Sequence, residues 1–371
     1  MSLSRTLNRL KRGQQAFAAA YPASSPSVSA DRLQPLPLAF DNPGNLRALC
    51  YLPEGELNGL MVVLHGCTQQ AEGYDQGSGW SALAERHGFA LLYPEQKREN
   101  NHNLCLNWYQ ASDATRGHGE AASIAAMVLA IQAAHGLDRD QTFVTGLSAG
   151  GAMTAAMLAT YPELFAGGAV IAGLPYGCAT NVAQAFECMG GRLPQDRDLL
   201  ASKVRAASTY KGPWPRLSVW HGSADNIVSP ANGDALLAQW TALHGLPAKP
   251  GRTESVDGHQ RRVWLAPDGS EAIEHYHVAG MAHGTPLRPG TGEGQSGRVG
   301  AHMLDVGLSS TDRIAAFFGL TAPGKSAKPR AQPHVVAPEP KAEPVAPASP
   351  PPSSGVQQVI EDALRSAGLM R

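Results

Sequence analysis

Five residues near the middle of the chain, Gly146-Leu147-Ser148-Ala149-Gly150, have the pattern G-x-S-x-G. A β-branched run precedes them and an alanine- and methionine-rich run follows them, which predicts a strand before the serine and a helix after it. Small residues on both sides allow a sharp turn between the two elements, and such a turn exposes the serine hydroxyl. The beginning of a helix also favours negative charge that develops nearby. We therefore predict that Ser148 is a nucleophile that attacks carbonyl carbons.

A serine hydroxyl needs a base that takes its proton, and the base needs an acid that orients it. When the serine lies on such a turn, the acid and the histidine follow it along the chain in that order. Asp225 comes just after a predicted buried strand, and His283 follows a later strand, with glycines close to it on both sides. We predict that Asp225 is the acid and that His283 is the base.

Other acids and histidines compete for these two roles. The competing residues are Asp234, Asp257, His259, His275, His277 and His302. One acid lies in a predicted helix and the other in the polar stretch after it, while two of the histidines lie within a predicted strand. The order along the chain and the position at strand ends favour Asp225 and His283.

Backbone N–H groups must stabilise the negative charge that develops on the attacked carbonyl oxygen. One donor is usually the residue after the nucleophile, here Ala149, and the other lies in a loop after an early strand. Cys67 lies in such a loop, directly after the first strongly apolar run at 60–64. We therefore assign the second donor to the Cys67 backbone, and its side chain need not take part.

Three aromatic residues are candidates for contact with a substrate. Trp108 and Tyr109 follow Cys105 in a polar loop, and Trp80 opens a predicted helix. In a cleft they would bind a hydrophobic acyl or polymer chain, whereas in the core they would be ordinary packing residues. The sequence leaves both alternatives open.

The chain has five cysteines, Cys50, Cys67, Cys105, Cys178 and Cys188, and no C-x-x-C pair. This odd number without such a pair argues against a zinc cluster or a thioredoxin-like site, so we predict no bound metal. Cys178 and Cys188 are close in sequence, and they either form a disulfide in an oxidising compartment or stay buried as thiols.

Strand and helix patterns alternate from about residue 33 to residue 320, which predicts an α/β fold with a mostly parallel sheet flanked by helices. The predicted strands are 60–64, 89–93, 142–145, 169–172, 217–220 and 273–278, and the predicted helices are 80–87, 120–135, 152–160, 230–244 and 312–318. In such folds the carboxyl ends of the strands meet at one edge, where ligands bind. Ser148, Asp225 and His283 all follow predicted strands and are expected at that edge.

Composition divides the chain into an N-terminal extension (1–31), the α/β domain (32–320), a proline-rich linker (321–355) and a C-terminal segment (356–371). The linker is predicted to be disordered because it cannot bury a core. Apolar residues at helical spacing predict a short amphipathic helix in each terminal segment. Such helices could contact a membrane or granule surface, and a solvated extension is the alternative.

The balance of 30 basic and 31 acidic residues, with a formal net charge of −1, does not favour nucleic acid as a partner. No apolar run reaches the roughly 18 residues of a transmembrane helix, and the apolar stretch near the N-terminus is too short for a signal peptide. The sequence by itself therefore favours a cytoplasmic location.

Several motifs together resemble the esterase PHB-depolymerase family, the polyhydroxybutyrate depolymerase-like α/β-hydrolases. They are LHGCTQ at 64–69, YPEQ at 93–96, NWY at 107–109, GLSAGGAM at 146–153, AGLPYGCA at 172–179 and HG-x-x-D at 221–225. The resemblance implies an α/β-hydrolase fold, a serine esterase that needs no cofactor, and hydrolysis of hydroxyalkanoate oligomers or polymer through an acyl-enzyme. Feruloyl or acetylxylan esters are the alternative substrates.

The resemblance also implies roles for individual residues. It supports the roles of Ser148, Asp225, His283, Cys67 and Ala149 given above and a substrate contact for Trp108. It implies a disulfide between Cys67 and Cys105 and an extracellular location. A non-catalytic protein that binds a surface or granule on the same scaffold is the alternative from another class, and the complete Ser–Asp–His set argues against it.

Overall fold

A ten-stranded sheet forms the centre of this computed structural model, which describes residues 32–192 and 196–321. Its strands are β1 (Gln34–Pro35), β2 (Arg47–Tyr51), β3 (Leu60–Leu64), β4 (Ala90–Glu95), β5 (Thr142–Leu147), β6 (Gly167–Ile171), β7 (Arg216–Gly222), β8 (Arg252–Val256), β9 (His259–Leu265) and β10 (Glu271–Val278). Their order across the sheet is β1-β2-β4-β3-β5-β6-β7-β10-β9-β8. The strands from β4 to β10 in this order are parallel, and antiparallel pairs extend both edges. The predicted mostly parallel sheet is confirmed.

Helices cover both faces of the sheet. They are α1 (Ala71–Ser78), α2 (Trp80–His87), α3 (Ala111–Ala114), α4 (Gly119–His135), α5 (Ala149–Thr160), α6 (Val182–Met189), α7 (Arg197–Ala207), α8 (Ala231–Leu243) and α9 (Ser310–Phe317). Buried residues of α4, α5, α7 and α8 pack with one face of the central strands, and those of α1, α2 and α9 pack with the other. No helix among the described residues is both long enough and apolar enough to cross a membrane.

The central strands are apolar on both sides because each lies between two helical layers. In β3, for example, Leu60, Val62 and Leu64 join the core on one face, while Met61 and Val63 join the core on the other. All five side chains are fully buried. This double burial explains why the strand is a continuous hydrophobic run rather than an alternating one.

Several elements of the structure were not predicted. They include the antiparallel pair of β8 and β9 at one edge and a small parallel sheet of β11 (Thr285–Leu287) and β12 (Met303–Asp305). The predicted helix at 152–160 begins earlier, at Ala149, directly after Ser148. The predicted amphipathic segments at 1–31 and 356–371, and all but the first residue of the predicted linker, lie outside the described residues.

Candidate active site

Ser148 occupies a strained turn between β5 and α5. Its backbone angles are φ 58° and ψ −114°, a region that residues with a side chain rarely adopt. The Ser148 N–H donates to the carbonyl of Ile171 at 2.9 Å, which ties the turn to the end of β6. A Cβ atom at Gly146 would lie 2.4 Å from the Gly150 oxygen, and one at Gly150 would lie 2.2 Å from the Leu64 oxygen. Only glycine fits at these two positions, and the partly exposed serine is held at the carboxyl edge of the sheet.

Asp225 and His283 form a hydrogen-bonded pair at the same edge. The Nδ1 atom of His283 lies 2.7 Å from Oδ2 of Asp225, while the N–H groups of Ile227 and Val228 each donate to Oδ1 at 2.9 Å. Burial by itself would raise the pKa of Asp225, but hydrogen bonds from His221 and His283 outweigh this effect and lower it. Because an ionised carboxylate only accepts, Nδ1 of His283 carries the proton and the neutral imidazole has its lone pair on Nε2.

Adjacent strands bring the acid and the base together. β7 and β10 are parallel neighbours, and the pairing continues beyond their ends, where Ser223 N–H donates to Val278 and Ala224 N–H donates to Met281. A Cβ atom at Gly222 would lie 2.2 Å from the Met281 oxygen, so only glycine permits this close approach of the two loops.

The competing acids lie elsewhere. Asp234 is on the outside of α8, where Arg262 contacts it at 3.2 Å. Asp257 is in the turn between β8 and β9, and it pairs with Arg313 at 2.9 Å. Within the described residues, the acid bonded to His283 is thus Asp225.

The competing histidines bond to other parts of the structure. His275 is buried in β10 and accepts hydrogen bonds from Arg262; burial and then the Arg262 charge lower its pKa. His277, on the same strand, is partly buried. The Nε2 atom of His259 lies 2.9 Å from the Val306 oxygen. His302 is the nearest competitor to the site, and its Nδ1–H donates to the backbone oxygen of His283 at 3.2 Å.

The loop after β3 lies against the turn that carries Ser148. A Cβ atom at Gly66 would lie 3.4 Å from the Leu147 oxygen, and one at Gly150 would lie 2.6 Å from the His65 oxygen. Cys67 is the next residue in this loop. Ala149 is the first residue of α5, so the N–H group of Ala149 has no partner within the helix. The two backbone donors assigned from the sequence therefore belong to neighbouring segments, and their role as an oxyanion hole remains a prediction.

A disulfide joins Cys67 to Cys105, as the resemblance implied. It ties the loop after β3 to the segment that leads to Trp108. Cys178 and Cys188 are buried thiols in this structure, and the Cys188 Sγ–H donates to the backbone oxygen of Cys178 at 2.9 Å. The sequence left open whether Cys178 and Cys188 form a disulfide or stay as buried thiols, and in the structure they are buried thiols.

The three candidate aromatic residues have different environments. Trp108 and Tyr109 are partly buried, pack edge to face with ring centroids 5.4 Å apart, and contact a small apolar cluster. The members of this cluster are Ala152, Leu174, Cys178, Ala179, Ala185, Cys188 and Val228. Ala152 lies in the first turn of α5, and Val228 lies in the loop at 223–230 that carries Asp225, called the acid loop below. The cluster therefore adjoins the site.

Trp80 is only 1% exposed and packs edge-on against Phe89. Of the two alternatives left open for Trp80, the structure therefore has core packing rather than a substrate contact, because its side chain belongs to the core between α2 and the sheet.

Sequence reasoning missed a buried polar network behind the Trp108 segment. The side-chain oxygens of Glu120, at the start of α4, accept from the backbone N–H and the side-chain amide of Asn107 at 2.7 Å each. Gln96 also donates to Glu120, and its backbone N–H donates to Nε2 of the buried His65 at 3.1 Å. The signal was present in the YPEQ and NWY motifs, whose polar residues now prove to be bonded to each other through Glu120.

Comparisons with known proteins show the family of this chain. Residues 46–261 match the family described as esterase PHB depolymerase. The poly(3-hydroxyalkanoate) depolymerase C of Paucimonas lemoignei is 45% identical over 282 residues, which cover 75% of this chain and 68% of the relative. The feruloyl esterase B of Talaromyces funiculosus is 30% identical over 257 residues, which cover 66% and 71%.

A solved structure supports the same assignment. The acetyl xylan esterase from Aspergillus awamori matches with a TM-score of 0.64 and 28% identity, and the match covers 78% of this chain and 99% of that one. The family predicted from the motifs is confirmed, together with the α/β-hydrolase fold. This chain belongs to the esterase PHB depolymerase family.

Proposed function

We propose that this chain, a carboxylic ester hydrolase by its family, uses Ser148 as nucleophile, His283 as general base and Asp225 as the residue that orients the base. The observation that carries the proposal is the 2.7 Å hydrogen bond between Asp225 and His283. It lies at the sheet edge where the strained turn presents Ser148. The remaining link, from the Ser148 hydroxyl to Nε2 of His283, is part of the proposal.

The proposed reaction has two halves that use the same groups. His283 Nε2 takes the proton of Ser148 Oγ as this oxygen bonds to the ester carbonyl carbon. The backbone N–H groups of Cys67 and Ala149 stabilise the resulting oxyanion. His283 then gives its proton to the leaving alcohol oxygen, and the acyl group remains on Ser148. In the second half His283 takes a proton from water as the water oxygen attacks the acyl carbon, and it then gives that proton to Ser148 Oγ as the acid is released.

Hydroxyalkanoate oligomers or polymer are the proposed substrates. The 45% identity to a poly(3-hydroxyalkanoate) depolymerase supports this choice over other esters. The apolar cluster beside Trp108 and Tyr109 would suit the aliphatic part of such an acyl group. Feruloyl esters are the second candidate, supported by the 30% identical feruloyl esterase.

A first experiment tests the nucleophile on p-nitrophenyl butyrate. The variant Ser148→Ala should lose at least about 10⁴-fold in kcat/KM. Ser202→Ala should match the wild type, because Ser202 lies exposed on α7 and its hydroxyl donates to the backbone oxygen of Leu199 in the same helix. Labelling of the wild type by a fluorophosphonate should map to Ser148. Equal, background-level rates for wild type and Ser148→Ala would instead favour the surface-binding alternative.

A second experiment tests the substrate class. The purified protein is assayed on 3-hydroxybutyrate oligomers, amorphous poly(3-hydroxybutyrate), methyl ferulate and acetylated xylan. We expect the highest kcat/KM on the hydroxybutyrate oligomers. A higher kcat/KM on methyl ferulate or acetylated xylan would overturn the substrate proposal and leave the serine esterase mechanism in place.

A further inference from the structure

A second imidazole contacts the acid of the proposed triad. His221, near the end of β7, is 1% exposed. Its Nε2 lies 2.9 Å from the backbone oxygen of Val228 and 3.5 Å from Oδ2 of Asp225. Because a carbonyl oxygen only accepts, Nε2 of His221 must carry the proton.

This one N–H group contacts two residues of the acid loop, Asp225 and Val228. Val228 accepts from His221 through its backbone oxygen, and its own N–H donates to Oδ1 of Asp225 at 2.9 Å. The same Nε2–H lies close to Oδ2, the oxygen that bonds to His283. The His221 ring therefore limits rotation of the Asp225 carboxylate and holds the loop in the conformation that presents it.

The other nitrogen of His221 shows that packing alone does not explain this residue. Its Nδ1 is buried and has no hydrogen-bond partner within the described part of the chain. It faces α8, where a Cβ atom at Gly233 would lie 3.3 Å away. A buried acceptor without a partner destabilises the folded state, and an apolar side chain of similar size would avoid that loss. The benefit of an imidazole here must come from Nε2–H.

We propose that His221 is a positioning residue for ester hydrolysis, which acts by holding Asp225 in the orientation that His283 requires. The inference rests on the proposed function of Ser148, Asp225 and His283. It assigns a role to the first residue of the HG-x-x-D pattern, from which sequence reasoning used only the aspartate.

Three substitutions separate this role from packing. In His221→Gln the amide nitrogen reaches about as far as Nε2 and can still donate to Val228 and Asp225. In His221→Asn the shorter amide ends near the position of Nδ1, and in His221→Leu no donor remains. The matched control is His244→Leu. Nε2 of His244 also donates to a backbone oxygen, that of Pro215 at 3.0 Å, but His244 lies at the C-terminal end of α8, whereas His221 faces the N-terminal end.

The measurements are kcat and KM on p-nitrophenyl butyrate, together with the melting temperature of each variant. We expect His221→Leu and His221→Asn to have about tenfold lower kcat, the loss typical of one hydrogen bond to a charged group, with KM within twofold of the wild type. His221→Gln should recover kcat to within about threefold. His244→Leu should keep the wild-type kcat even if its melting temperature falls.

Two results would overturn the inference. One is a wild-type kcat in His221→Leu alongside an inactive Ser148→Ala variant, which would leave the proposed function standing. The other is an equal loss of kcat in His221→Gln and His221→Asn, which indicates packing; this comparison also decides the question if His221→Leu fails to fold. Full activity in Ser148→Ala would refute the proposed function and this inference together.

Discussion

Replacement of Asp225 by asparagine would test how the acid acts, because the two side chains have the same shape. Apart from its contact with His221 at 3.5 Å, the carboxylate accepts three hydrogen bonds, two from the N–H groups of Ile227 and Val228 and one from His283. An asparagine has one oxygen that accepts and one amide group that donates. It cannot satisfy these three donors while the proton of His283 stays on Nδ1.

The geometry indicates which orientation asparagine adopts. If its amide faced Ile227 and Val228, two buried N–H groups would lose their acceptor, at a cost of about 1–3 kcal/mol each. If its oxygen faces them, the amide donates to Nδ1 of His283, and the imidazole proton moves to Nε2. The second orientation leaves every donor paired, so it should prevail. His283 then has no lone pair on Nε2 to take the proton of Ser148.

The expected loss follows from the wrong tautomer of the base. An isosteric exchange of this kind lowers kcat by about 10⁴-fold, which corresponds to about 5.4 kcal/mol of barrier. The assay is kcat/KM on p-nitrophenyl butyrate, with circular dichroism to show that Asp225→Asn is folded. The matched control is Asp234→Asn, since Asp234 is exposed and forms a surface ion pair with Arg262. A rate for Asp225→Asn within tenfold of the wild type, or an equal loss in Asp234→Asn, would refute the assignment.

Burial raises the pKa of Glu120 from its ordinary 4.5 to about 8. Glu120 therefore loses its proton at lower pH in the unfolded chain than in the folded one. Between these two pKa values, rising pH lowers the free energy of unfolding of the wild type. In urea unfolding, the free energy of unfolding of Glu120→Gln should therefore rise relative to that of the wild type by up to about 1.4 kcal/mol per pH unit; a pH-independent difference would contradict this. Cys105→Ser should lower the free energy of unfolding by about 2–4 kcal/mol, because the bond to Cys67 closes a loop of 38 residues, and an unchanged urea midpoint would contradict this. Trp108→Ala should raise KM for hydroxybutyrate oligomers about tenfold, while Trp214→Ala, which removes a tryptophan packed on Trp240 of α8, should not; equal KM values for the two variants would exclude a substrate contact.

The residues proposed for catalysis could be predicted because their signals are local. Ser148 lies between small residues, after a β-branched strand and before a helix, and the structure has this order. Asp225 and His283 each follow a buried strand, and in the structure these two strands are parallel neighbours, which brings their loops together. Hydrophobic runs such as 60–64 predicted the central strands because both faces of the sheet are covered.

The β8–β9 pair was missed because β8 and the first half of β9 are polar and partly exposed. The apolar residues of β9 form only a short run at 263–265, and β8 carries no apolar pattern. The turn between them did give a signal. Asp257 and Gly258 have φ values of 51° and 84°, and Asp-Gly is the usual sequence of such a tight hairpin. The polar stretch that contains Asp257 is therefore a hairpin with a recognisable turn.

Residues whose role depends on tertiary contacts could not be placed from the sequence. Whether Trp80 lines a cleft or the core depends on the packing of α2 against the sheet, and its own neighbours along the chain do not report it. The contact of His221 with Asp225 depends on how the acid loop folds back on β7. Glu120 is 13 residues from Asn107 in the chain, and only the fold brings its carboxylate to that backbone.

The three proposed catalytic groups differ in how firmly the fold fixes them relative to each other. Asp225 and His283 come from loops whose backbones are bonded to one another, and Gly222 allows those loops to touch. Ser148 comes from β5, which is separated from β7 by β6, so no strand pairing links it directly to the acid or the base. Its position relative to His283 therefore depends on the 279–284 segment, where His302 bonds to the backbone of His283. We infer that the serine–histidine distance changes more easily than the aspartate–histidine distance, because backbone hydrogen bonds join the loops of the latter pair and no strand pairing links Ser148 directly to either loop.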